Sequence, residues 1–98
     1  MIEHVVLFKF KPDTPDATIA EISTELTQLK SHIPEIKYLT FGENFSNRSK
    51  GFNYGLVSRF DNRNDLDTYQ KHTEHVRVVN NNIKPVLDDI VAVDYETP

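Results

Sequence analysis

The stretch from Ile2 to Phe10 carries apolar side chains on both sides of an extended chain, and this constrains the fold more than any other feature. Alternate residues of a strand point to opposite faces. His4, Val6, Phe8 and Phe10 therefore share one face, while Val5 and Leu7 point the other way with Glu3 and Lys9. A strand that is apolar on both sides must be covered on both sides.

The remaining elements follow from period and punctuation. The chain turns at Lys11-Pro12-Asp13, and Thr14-Pro15 offers an N-cap followed by proline at the first helical position. Ile19, Ile22, Leu26, Leu29 and Ile33 then form one helical stripe, ended by Pro34. Ile36 to Phe41 reads as a second strand, residues 42–51 as a polar loop, and Phe52 to Phe60 as a third strand. In that third strand Phe52, Tyr54, Leu56, Ser58 and Phe60 share a face. Asn62 with Asp65 signals another helix start, with Leu66 and Tyr69 facing inward. A further helical piece begins after Thr73, whose hydroxyl is placed to cap it. Val76, Val79 and Ile83 are its apolar residues, and Asn80-Asn81-Asn82 should bend or fray it. Pro85 ends it, Asp88-Asp89 reads as a solvated turn, and Ile90 to Tyr95 is the last strand.

This order gives an α+β fold, βαββαβ, as one domain over residues 1–98 with a four-stranded antiparallel sheet. Two helical layers can cover only one face of that sheet. Val5, Leu7, Leu39, Phe41, Val57, Val91 and Val93 are expected to need cover on the other. The economical solution is a homodimer, a second copy packed sheet to sheet about a twofold axis. A chain of 98 residues with a hydrophobic fraction of 38% fits that need, because a domain of this size buries only roughly 60–70% of its unfolded surface.

Composition narrows the function. The net charge is −4 and the 11 basic residues are dispersed, so nucleic acid is not an expected partner. No apolar run approaches the ~20 residues of a membrane span, and no secretory leader is visible. There is no cysteine, which removes disulfides and thiolate metal sites and suits a cytoplasmic setting.

Chemistry concentrates in Tyr69-Gln70-Lys71-His72-Thr73-Glu74-His75. Histidine exchanges protons near neutral pH without special tuning. Tyr69 and His75 are six residues apart and would diverge by about 120° on one unbroken helix. A break at His72-Thr73 would turn both into one cleft, with His4 and Tyr54 on its floor. A phenol hydrogen-bonded to an imidazole can deprotonate a carbon acid and stabilise the enolate without metal or cofactor. Tyr69, His75 and His4 are the candidate catalytic residues, and Val6, Tyr54, Leu56 and Ile90 the candidate ligand-binding ones. Each also has a structural reading: a core tyrosine with its hydroxyl at the rim, a satisfied buried histidine, a helix-start histidine. His72 reads as exposed. His72-x-x-His75 lacks the further ligands a metal site needs, so no metal is expected. Arg48 and Lys50 read as solvated, as does His32 at its helix end.

The opening Ile2-Glu3-His4-Val5-Val6-Leu7-Phe8-Lys9-Phe10-Lys11 resembles the start of the stress-responsive A/B barrel (Dabb) domain family. So do Gly42-x-Asn44-Phe45-Ser46, Tyr54-x-Leu56-Val57-Ser58-x-Phe60 and Leu66-x-x-Tyr69-x-x-His72-x-x-His75-Val76. The closing Pro85-x-x-Asp88-Asp89-Ile90-Val91-x-Val93-Asp94-Tyr95 completes a likeness over almost the whole chain. The resemblance implies a ferredoxin-like subunit pairing into a dimeric α+β barrel. It also implies two readings of function. One is a homodimer with a small-molecule cleft of unassigned or non-catalytic role, a binder of a small apolar ligand or only a scaffold. The other is a cofactor-free acid–base enzyme, cyclase-like or monooxygenase-like, acting on a small carbonyl or polyketide-like compound. The family includes olivetolic acid cyclase, whose catalytic tyrosine and histidine match Tyr69 and His75, and whose pocket histidine matches His4. Two differences separate this chain from that enzyme. Thr73 stands where many relatives have proline, and no aromatic lies between Thr14 and Ile33.

Overall fold

A computed structural model describes all 98 residues. Strand β1 spans Ile2–Phe10, helix α1 Asp16–His32, β2 Tyr38–Glu43 and β3 Tyr54–Phe60. Helices α2 (Arg63–Lys71) and α3 (Thr73–Val78) follow. A π-helical turn (Val79–Ile83) and a 3₁₀ turn (Lys84–Val86) lead into β4, Leu87–Glu96. The asparagine run thus widens the helix rather than fraying it. No helix is long and apolar enough to cross a membrane.

The sheet is antiparallel throughout, in the order β2-β3-β1-β4. All helices lie on one face. Ile22, Leu26, Leu29 and Ile33 form the buried stripe of α1, and the core is completed by Ile2, Val6, Phe8, Leu56 and Phe60 from the sheet. Tyr69, Val78 and Ile83 close it from the second helical layer.

Several local expectations need correction. Thr14 does not cap α1: its hydroxyl donates to the Lys11 carbonyl at 2.7 Å, and Pro15 is the capping residue. Its carbonyl accepts the first helical bonds, from Thr18 and Ile19. The strands β2 and β3 each begin two residues later than expected, because the N–H groups of Ile36 and Phe52 are bound in turns to the Ile33 and Ser49 carbonyls. Leu39 and Phe41 lie opposite Ser58 and Leu56, so they face the helices and not the outer side. The Phe41 ring accordingly sits 5.7 Å from that of Phe8. Asp88 and Asp89 are not a turn but the start of β4. The register shifts between Lys9 and Phe10, where Asp89 and Leu87 are the respective partners, so Asp88 is the extra residue of a bulge.

The outer face remains as the alternation requires. Val5, Leu7 and Val57 are half-buried there, and Val91, Val93 and Tyr95 on the edge strand are 41%, 49% and 51% exposed.

Candidate functional site

The site is built where the second helical layer breaks over β1 and β4. Helix α2 starts cleanly because the Asn62 side chain accepts the Asp65 N–H at 2.8 Å. It stops at Lys71, and His72 is extended (φ −61°, ψ 137°). The cap of α3 is not the Thr73 hydroxyl. The His72 ring accepts the Glu74 N–H through Nδ1 at 3.1 Å, which gives this histidine a structural task. Glu74 in turn pairs with Arg77 at 2.7 Å, and Arg77 reaches Glu25 of α1 at 2.9 Å. The bond to Arg77 holds the Glu74 carboxyl below its ordinary range.

This break brings Tyr69 and His75 together. Their ring centroids are 4.4 Å apart, tilted at 49°. The expected phenol-to-imidazole hydrogen bond does not form; the rings are in contact instead. Phe60 packs on the other side of Tyr69 at 5.1 Å, and His4 meets it edge-on at 6.1 Å. His75 Nδ1 lies 3.1 Å from the Gln70 carbonyl oxygen. A carbonyl only accepts, so Nδ1 carries the proton, and Nε2 keeps the lone pair in the neutral ring.

Burial sets the protonation states. It pushes the Tyr69 phenol far above its ordinary value of 10.0, so Tyr69 is a neutral donor. It lowers the His75 imidazole below 6.5, with His4 and His72 adding repulsion and the Gln70 hydrogen bond opposing them in part. His75 is therefore a neutral base near pH 7.

Asp94 joins the site without having been anticipated. It lies directly across the β1–β4 ladder from His4, and its carboxylate accepts a hydrogen bond from His4 Nδ1. His4 is buried while Asp94 is partly exposed, so the carboxylate ties an interior ring to the sheet edge. Ser58, across the other ladder from His4, buries a hydroxyl with no partner in the chain.

Above these groups lies a cleft of about 320 Å³. His4, Tyr69, Gln70 and His75 supply its polar end, and Val6, Leu56 and Ile90 are among its mainly apolar walls. That volume is at the small end of the range for ligand pockets, which are likewise mostly apolar with few polar groups. Tyr54 is not part of it. It shares the helix-facing side of β3 but lies at the far end, stacked on Phe41 at 5.7 Å and beside Phe10 at 5.5 Å. A second hollow of about 300 Å³ lies by Ile2, Leu66 and the exposed Arg63–Glu96 pair, with Asp94, the partner of His4, on its wall. No three metal-ligating side chains converge anywhere.

The comparisons with known proteins agree with this architecture. A model of the stress-responsive A/B barrel domain matches residues 2–97. A stress-response A/B barrel domain-containing protein of Arabidopsis thaliana is 33% identical over 96 residues. That match covers 97% of this chain but 36% of the relative, so the chain spans about a third of that protein's length. The structure of At3g17210 from Arabidopsis thaliana superposes with a TM-score of 0.90 at 24% identity, covering 100% of this chain and 96% of that one. A dimeric ferredoxin-like protein of unknown function from Bacteroides fragilis superposes with a TM-score of 0.86 at 28% identity, covering 98% and 95%. The fold is ferredoxin-like, and the chain belongs to the stress-responsive A/B barrel domain family.

Proposed function

We propose that this domain acts as a homodimer in which each chain binds a small, largely apolar molecule bearing a carbonyl or phenolic oxygen. The observation that carries this reading is the distribution of groups in the cleft. Mainly apolar walls, with the Lys84 side chain among them, meet a cluster of a neutral phenol, a neutral imidazole and the Asp94-bound His4. An aromatic ring would desolvate against Val6, Leu56 and Ile90, and its oxygen would accept from Tyr69. The dimer is supported by the exposed valines of the outer face and by the dimeric relative from Bacteroides fragilis. The lack of cysteine supports a cytoplasmic setting.

Calorimetric titration with 4-hydroxybenzaldehyde tests the reading. Tyr69→Phe and His75→Ala should each weaken binding by about tenfold, the worth of one net hydrogen bond. Equal affinity in all three proteins, each folded and dimeric, would remove the cleft from consideration.

A second reading is favoured by one observation, the free lone pair that the Gln70 carbonyl leaves on His75 Nε2. His75 would take a proton from the carbon next to a ligand carbonyl, and the C–H electron pair would move to the oxygen as an enolate. Tyr69 would donate a hydrogen bond to that oxygen, the His75 imidazolium would exchange its proton with solvent, and it would then reprotonate carbon as the enolate electron pair returns. In heavy water this cycle places deuterium in the methyl group of acetophenone. The expected rate, read by proton NMR, is about 10²–10⁴-fold above that of His75→Ala. Equal rates would leave binding as the function.

A further inference from the structure

Phe45 is 99% exposed, more than any other large apolar side chain. It does not sit on a loose loop. The Asn44 N–H donates to the Asn53 carbonyl at 2.7 Å, its side-chain amide to the Phe52 carbonyl at 2.8 Å, and its side-chain oxygen accepts the Ser46 N–H at 3.0 Å. The turn after β2 is thus pinned while it displays an aromatic ring to water. Across the sheet, the cleft has an open side at the β4 edge. Ile90 lines it and points toward the helices, as its ladder partner Phe8 does, yet Ile90 is 45% exposed and Phe8 3%.

Given the homodimer proposed above, on which this pairing rests, two twofold operators bring the outer faces together with strands aligned. One axis lies across the strands and sets β2 beside its own copy, running the opposite way. The end of β2 then falls beside the partner's strand start, where the Lys37–Asp61 pair is exposed and the Tyr38 ring is already covered by the Arg59 guanidinium at 4.7 Å. The other axis lies along the strands and sets β2 beside the partner's β4. Because β2 runs with β1 and β4 runs against it, the end of β2 then meets the start of β4. This operator brings the displayed ring to Leu87 and to Ile90 at the open side of the cleft. We propose that Phe45 of each chain closes the mouth of the other chain's cleft against Ile90, so that neither cleft is complete without its partner. The open apolar cleft at Leu87 and Ile90 offers more bare surface than a tyrosine ring already stacked by Arg59, and this selects the pairing over the first.

Because the chain has no cysteine or tryptophan, probes can be placed singly. The full-length variants Phe45→Cys and Ile90→Cys and the double variant are oxidised with copper phenanthroline and run on non-reducing gels, after sedimentation has fixed the mass of each. The double variant should give a covalent dimer, and each single variant should remain one chain. Phe45→Trp should emit to the blue of free tryptophan and resist acrylamide quenching several-fold. Cross-linking of Phe45→Cys to itself, or a water-exposed tryptophan in a protein that sediments as two chains, overturns this inference and leaves the dimer intact. A mass of one chain overturns both.

Discussion

At the level of single residues, the chemistry turns on His75. Its folded imidazole is held below 6.5 by burial, so the unfolded chain binds the proton more readily. Unfolded protein therefore carries more protons in the window that begins near 6.5 and runs downward, and stability rises with pH through that window. The contribution is fully present above 6.5 and is lost as pH falls. His75 ring signals in NMR should show the Nδ1–H tautomer and a midpoint below 6.5, and denaturant midpoints should fall as the pH is lowered through the same range. A ring protonated at Nε2 that titrates at or above 6.5 would contradict this. That Tyr69, His75 and His4 lie together was legible in the sequence, because a break at His72-Thr73 turns the phenol and the imidazole to one side, over the strand that carries His4. Asp94 was not. Its partner is 90 residues away, and only the register of β4 on β1 brings the two together.

At the level of elements, the periods of two and 3.6 located the four strands and the α-helices to within a few residues, and the break between α2 and α3 fell between Tyr69 and His75. What escaped is local competition among polar groups. Thr73 and His72 both stand at the break, and the imidazole rather than the hydroxyl takes the orphan N–H of Glu74. Asp88 and Asp89 suggest a turn because they are acidic, yet an edge strand with a bulge holds charged side chains in water without difficulty. Leu39 and Phe41 fall on the helix face, not the outer one, because alternation fixes neighbours within a strand but not the phase between strands. Tyr54 is on the expected face, but a strand of seven residues is long enough to carry it past the cleft.

At the level of the whole molecule, one chain is a sheet with helices on one side and valines bare on the other. The same chain leaves a cleft open at its β4 edge and an aromatic ring exposed beyond its β2 edge. In the proposed dimer a second copy answers all three, which makes the proposed binding site and the assembly one problem. In this picture the ligand lies inside, between helices and sheet, with its oxygen at Tyr69. Isotope-filtered NOEs between labelled protein and unlabelled 4-hydroxybenzaldehyde locate it without recourse to mutation. Contacts are expected from the ring protons of the aldehyde to the methyl groups of Val6, Leu56 and Ile90. Contacts confined to Val91 and Val93 on the outer face would contradict an interior site.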